Sequence, residues 1–185
     1  MSPALHSSFS SPARVLSEVL FHEVTSLLIM SHLITRSLLA VRPECAFSRE
    51  LTGTLDRIMR VSSEGETYLY RPLIDAGAVM PAAADASALA LVTSLFTRLP
   101  TTSTPRVLAT ELSVNLRLLA QHVELKARRA AEEAERLGEH ALGHALQAWA
   151  TEWRACGQIV HTATARTRSE AQAAEFGGFA VPLGA

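Results

Sequence analysis

Two pairs of side chains in this sequence have the spacing that lets one helix face hold a divalent cation. They are Glu18 with His22 and His140 with His144, each four residues apart. Glu139 stands beside the second pair, where a negative charge at a helix start is favoured. Further oxygen and imidazole donors that facing helices could bring together are Glu64, Glu66, Glu111 and His122. Nucleophilic chemistry has no comparable signal. Serines are plentiful, but no G-x-S-x-G or Cys/His arrangement sets one beside a base, and no glycine-rich loop could cradle a phosphate.

These donors have to be positioned by helices. Ser11-Pro12 is an N-cap followed by proline at the first helical position, which predicts a helix from Pro12 to Val41. Its apolar residues occupy more than one face, so burial on two sides is expected. Pro43 stops it. A second helix is expected over Ser48 to Asp75, with Leu51, Leu55, Ile58 and Leu69 inward and Gly53, Gly65 and Pro72 weakening it. A connector follows, with a short helix expected around Ser87 to Thr97. Thr104-Pro105 repeats the cap-plus-proline signal. After it, Leu108, Leu112, Leu116, Leu119, Val123, Ala127, Ala130, Ala134 and Leu137 form one stripe along a third helix. Glu124 with Arg128 and Glu132 with Arg136 are expected pairs on its solvated side. Gly138 closes that helix, and a last one carries Leu142, Leu146, Trp149, Trp153, Cys156 and Val160 inward. From Arg166 the periodicity is lost.

No segment alternates as a strand would, so the expected fold is all-α. Four long helices with a long second-to-third connection predict a ferritin-like four-helix bundle with a crossover. Residues 1–11 are then an N-terminal arm, 12–165 the bundle, and 166–185 a flexible C-terminal tail whose FGGFAVPL could dock on a larger protein partner.

At 185 residues the chain has room for one core and no second domain. Net charge is −1, the pI is near 6.7, and Lys126 is the lone lysine, so composition does not point to nucleic acid. Cys45 and Cys156 are far apart and belong to no metal motif, which predicts two buried free thiols in a reducing, cytoplasmic setting. The N-terminus has neither the basic nor the apolar region of a secretory signal. Val24 to Val41 is long enough to span a bilayer, but His32 and Arg36 near its middle argue against a membrane.

With that order of elements, the segment from Leu33 to about Ala82 resembles the miniferritins of the DNA-protection-during-starvation (Dps) family. The residues that carry the resemblance are LITR (Leu33 to Arg36), Phe47, Glu66, Arg71 and Ala76-Gly77. A second patch, AEEAERLGEHALGHAL from Ala131 to Leu146, is similar to the family's third-to-fourth helix corner, and the two patches cover about a third of the chain. The resemblance implies a homo-oligomeric cage, a dodecamer, with iron as cofactor or cargo and a role in iron sequestration or stress protection. It also implies interfacial iron ligands, and here the carry-over mostly fails. The ligand positions fall on Leu39, Leu51, Leu55, Glu66 and Tyr70, so only Glu66 keeps a donor. A one-residue slide would bring in Asp56 at the cost of placing Thr52 at the histidine position. Leucine offers no donor, so ferroxidase activity is doubtful and those leucines are expected to form a dry contact between subunits.

By the same resemblance, Glu139, His140 and His144 would lie at the corner that lines a threefold entry pore. The family's lysine-rich DNA-binding tail has no counterpart here. Two other readings stand beside the cage. One is a non-enzymatic helical assembly or interaction protein acting through its surface or tail. The other is a metal-dependent oxidase with a site inside the bundle that includes Glu18 and His22.

Overall fold

The computed structural model describes residues 18–75 and 105–177, with Ala90, Val92, Thr93 and Phe96 between them. The expected helix start at Pro12 and the last eight residues of FGGFAVPLGA lie outside the described residues. The described residues form four long helices: α1 (Glu18–Val41), α2 (Arg49–Asp75), α3 (Pro105–Arg136) and α4 (His140–Gly177). A 3-10 turn over Arg42–Cys45 joins the first two, entered through Pro43, which cannot continue α1. The fold is all-α, as expected.

Ring order and direction follow from contacts between helices. Ser62 on α2 donates its hydroxyl to the Ser31 carbonyl of α1 at 2.8 Å. Arg57 and Glu152 meet at 3.3 Å, and Arg166 reaches Glu50 at 3.7 Å, so α4 runs antiparallel to α2. Arg154 reaches Glu124 at 2.7 Å across α3 and α4, and Lys126 of α3 meets Glu23 of α1 at 3.6 Å. Each helix is therefore antiparallel to its two neighbours, in the order α1, α2, α4, α3. It follows that α2 and α3 run in the same direction, so the end of α2 and the start of α3 lie at opposite ends of the bundle. Asp75 to Pro105 has ample chain to join them, because α2 is only about 40 Å long at 1.5 Å per residue. One long crossover is the connectivity of ferritin-like bundles. Ala90, Val92, Thr93 and Phe96 of the link are helical, with Val92 in the core and Phe96 packed against it.

Apart from Leu108, which is half-buried, and Leu137, the predicted stripes are the core. Leu112, Leu116, Leu119, Val123, Ala127, Ala130 and Ala134 of α3 are buried, as are Leu142, Leu146, Trp149, Trp153, Cys156 and Val160 of α4. Leu137 departs from the pattern because it lies one residue past the end of α3 and is exposed. α1 is buried over a broad arc that includes Thr25, Ser26 and Ser31. Among the described residues one span, Glu18–Cys45, is long and apolar enough to cross a membrane by length and composition, but half of its apolar 18-residue window is buried.

α2 is unbroken through Gly53, Gly65 and Pro72. Gly65 is explained by the Trp149 indole, which lies against it closely enough that a Cβ there would overlap the ring. Trp149 Nε1 then donates to the Val61 carbonyl at 2.9 Å, and Trp153 stacks edge-on at 6.0 Å. Glycine's cost in helix propensity is thus offset by the close approach between α2 and α4. α4 also differs from expectation. It continues through Arg166 as far as Gly177, so the segment assigned to a flexible tail is helical over its first part.

Candidate functional site

The corner between α3 and α4 gathers more of the sequence-predicted donors than any other place among the described residues. Gly138, at φ +77°, takes the left-handed conformation that ends α3. Its N–H donates to the Glu135 carbonyl at 3.0 Å, and the Glu139 N–H donates to the Ala134 carbonyl at 2.8 Å, a Schellman pair. α4 starts at once, and the Gly143 N–H donates to the Glu139 carbonyl at 2.9 Å.

The reversal carries the start of α4 back over the Glu135 side chain. Glu135 Oε2 lies 2.6 Å from His140 Nδ1, and Oε1 lies 3.7 Å from His144 Nε2. Gly143 leaves room for that carboxylate, since a Cβ there would fall 2.5 Å from Glu135 Oε1. Helical spacing could not reveal Glu135. It stands five residues before His140 across a turn, so only the geometry of the corner joins them. The two rings touch opposite oxygens of one carboxylate and do not converge on a common point. All three side chains are well exposed.

The other candidates are scattered. Asp56 is held by Arg42 in a two-pronged contact, Nε to Oδ1 at 2.7 Å and Nη2 to Oδ2 at 3.1 Å. This hydrogen bond, helped by the nearby charge, holds the Asp56 carboxyl below its usual range and raises Arg42. Asp56 therefore locks the α1–α2 corner. Glu66 lies ten residues further along α2, about 15 Å away at helical rise, beside His32 of α1 at 3.8 Å. His32 is a partner that sequence reasoning did not single out. Glu18 and His22 are at the start of α1, and neither makes an ion pair or side-chain hydrogen bond among the described residues. Arg136 pairs with Glu133 at 2.6 Å rather than with the expected Glu132, and Glu124 is shared between Arg128 at 3.8 Å and Arg154.

The leucines at the implied ligand positions behave unlike one another. Leu51 and Leu55 are buried in this chain's own core, whereas Leu39 and Tyr70 are exposed. The expected dry subunit contact at Leu51 and Leu55 is therefore corrected, because α1 and α4 already cover that face of α2. The residues present do not fit an interfacial iron site. Core leucines supply no donor, and Glu66 has one imidazole near it at a distance longer than a hydrogen bond. Among the described residues no three His, Cys, Asp or Glu side chains are grouped to hold a metal ion.

The surface carries a different pattern. Val107, Val114, Leu118 and Leu125 of α3 are 45%, 50%, 52% and 52% exposed. Steps of seven, four and seven put them within about 40° of one another around the helix, in a straight row about 27 Å long. The row lies opposite the stripe that α3 gives to the core.

No family model matches this chain, and no curated protein does. Among solved structures it is similar to "YcfI, a putative structural protein from Rhodopseudomonas palustris", at 17% identity and a TM-score of 0.72. The match covers 83% of this chain and 98% of that one. At that identity the likeness is one of fold.

Proposed function

We propose that this chain is a non-enzymatic helical assembly protein that works as a homo-oligomer, with the outer face of α3 as its contact surface. The observation that carries the reading is the row Val107, Val114, Leu118 and Leu125. A helix that buries one stripe in its own bundle and holds a second, straight, half-exposed apolar stripe on the other side has a face left for another helix. The steps of the row are those of a coiled-coil seam. Glu111 and Gln121 interrupt it, which favours a defined register over non-specific adhesion. A structural role is also the one named for the Rhodopseudomonas neighbour. Two unpaired thiols, Cys45 and Cys156, agree with a cytoplasmic setting.

The test is sedimentation velocity on the wild type and on Leu118→Glu. The wild type is expected to sediment as a multimer and the variant to shift toward monomer with an unchanged helical spectrum. A monomeric wild type contradicts the proposal.

The miniferritin-like cage handling iron is a second reading, supported by the sequence resemblance and by the exposed Glu135–His140–His144 corner, whose side chains would have to regroup to take a divalent cation. On this reading the corner meets divalent cations without oxidising them. Aerobic ferrous iron should then give no faster ferric absorbance than buffer, while His140→Ala/His144→Ala lowers the number of ferrous ions retained after desalting. Equal retention by the variant removes this reading and leaves the assembly reading untouched.

A further inference from the structure

A groove of about 400 Å³ runs between α3 and α4 on the face away from α1 and α2. Its volume is in the range of small-molecule sites. The floor is Trp153, with Gly157 beside it contributing no side chain. Trp153 is completely buried, and its indole N–H has no hydrogen-bond partner among the described residues.

The walls carry more positive charge than negative. Glu124 is the one carboxylate among the lining residues, and it is engaged by Arg154 through Nε at 2.8 Å and Nη2 at 2.7 Å. Arg117 is left over. Its contact among the described residues is Nη1 to His161 Nδ1 at 3.5 Å, the outer limit of a hydrogen bond. A guanidinium has five donors and no acceptor, and a ring nitrogen at that distance satisfies at most one of them. Gln121 and Gln158 line the same stretch and can turn amide donors inward.

We propose that this groove binds small soluble molecules carrying a phosphate group, with Arg117 and His161 holding the phosphate oxygens and the rest of the molecule lying toward Gly157. Arg117 is suited to this because its planar fork matches tetrahedral oxyanions in a two-pronged contact. Arg154, already committed to Glu124, sets the far wall. The groove flanks the α3 apolar row and shares Gln121 with it, but phosphate binding is read as heat and assembly as mass, so failure of one is distinguishable from failure of the other.

The experiment is titration calorimetry of the full chain with inorganic pyrophosphate and with glucose 6-phosphate at near-physiological salt, alongside flotation with phosphatidic acid vesicles. Binding of both soluble probes is expected, weakened about tenfold or more by Arg117→Met and by His161→Leu. Both side chains are exposed, so unchanged melting temperatures will show that the variants fold. Arg60→Met, an exposed arginine on α2, should bind like the wild type. The proposal is overturned by absence of heat with both probes at millimolar concentration, by wild-type affinity in Arg117→Met, or by equal weakening in Arg60→Met. Vesicle flotation without soluble binding overturns it as well, by assigning the charge to a membrane surface.

Discussion

At the scale of single residues, the strongest constraint is one the sequence presents as a weakness. Gly65 lowers helix propensity, yet Trp149 occupies the space its side chain would take. Gly65→Ala should therefore destabilise the fold by about 1–3 kcal/mol, the usual cost of overpacking, whereas Gly53→Ala, where nothing lies within 4 Å, should be neutral or stabilising. Urea denaturation of both variants checks the contrast. His122 gives a pH dependence. Partial desolvation first, and the charge of Lys126 second, lower its pKa in the folded chain although the residue is exposed, so the folded state modestly favours the neutral ring. The unfolded chain then binds more protons as pH falls, and this contribution to stability is full above about pH 6.5 and declines below it. Melting temperatures of the wild type should fall more steeply between neutral and mildly acidic pH than those of His122→Asn. Identical profiles would show that the ring is not held neutral. Burial also raises the thiols of Cys45 and Cys156. The native chain should react slowly with a thiol-specific disulfide reagent, and both groups should react at once in denaturant.

At the scale of elements, the sequence was most legible where one periodicity ran long. The stripe from Leu112 to Ala134 predicted the buried face of α3 because the apolar steps of three and four persist through the helix. It failed at Leu137, where the chain has already turned. The end of α4 was illegible for the opposite reason. RTRSEAQAAEFG has no apolar stripe to read, but its Ala, Arg, Glu and Gln residues have high intrinsic helix propensity, and α4 simply continues through them. The corner before α4 was legible as a stop at Gly138, but its side-chain cluster was not, since Glu135 meets His140 only after the left-handed turn is made. Gly138→Ala places a Cβ in that conformation and should cost about 1 kcal/mol, read from the shift in denaturant midpoint, with Gly138→Asn costing less. Asp56 stands at a register that a ligand could occupy, yet its carboxylate is taken by Arg42, where it ties the 3-10 turn after α1 to α2.

At the scale of the whole molecule, the four-helix order and the crossover were legible from helix count and connection length, because a bundle whose second and third helices run in the same direction needs a long link. What the molecule does with its outer surface was not. The exposed row on α3 shares its helix with the core stripe, so in one dimension it reads as extra apolar residues. Only the fold shows that Val107, Val114, Leu118 and Leu125 lie opposite the buried stripe with about half of each residue in solvent. Leu51 and Leu55 show the converse, since residues expected between subunits are consumed within one. If the α3 row joins copies of this chain, removing its apolar character must separate them. Size-exclusion chromatography with light scattering on the wild type and on Val114→Glu/Leu118→Glu is the decisive comparison. A mass of two or more chains is expected for the wild type and one chain for the variant, both with full helical content. A wild type with the mass of one chain, or a variant that keeps the wild-type mass, would contradict assembly through this face.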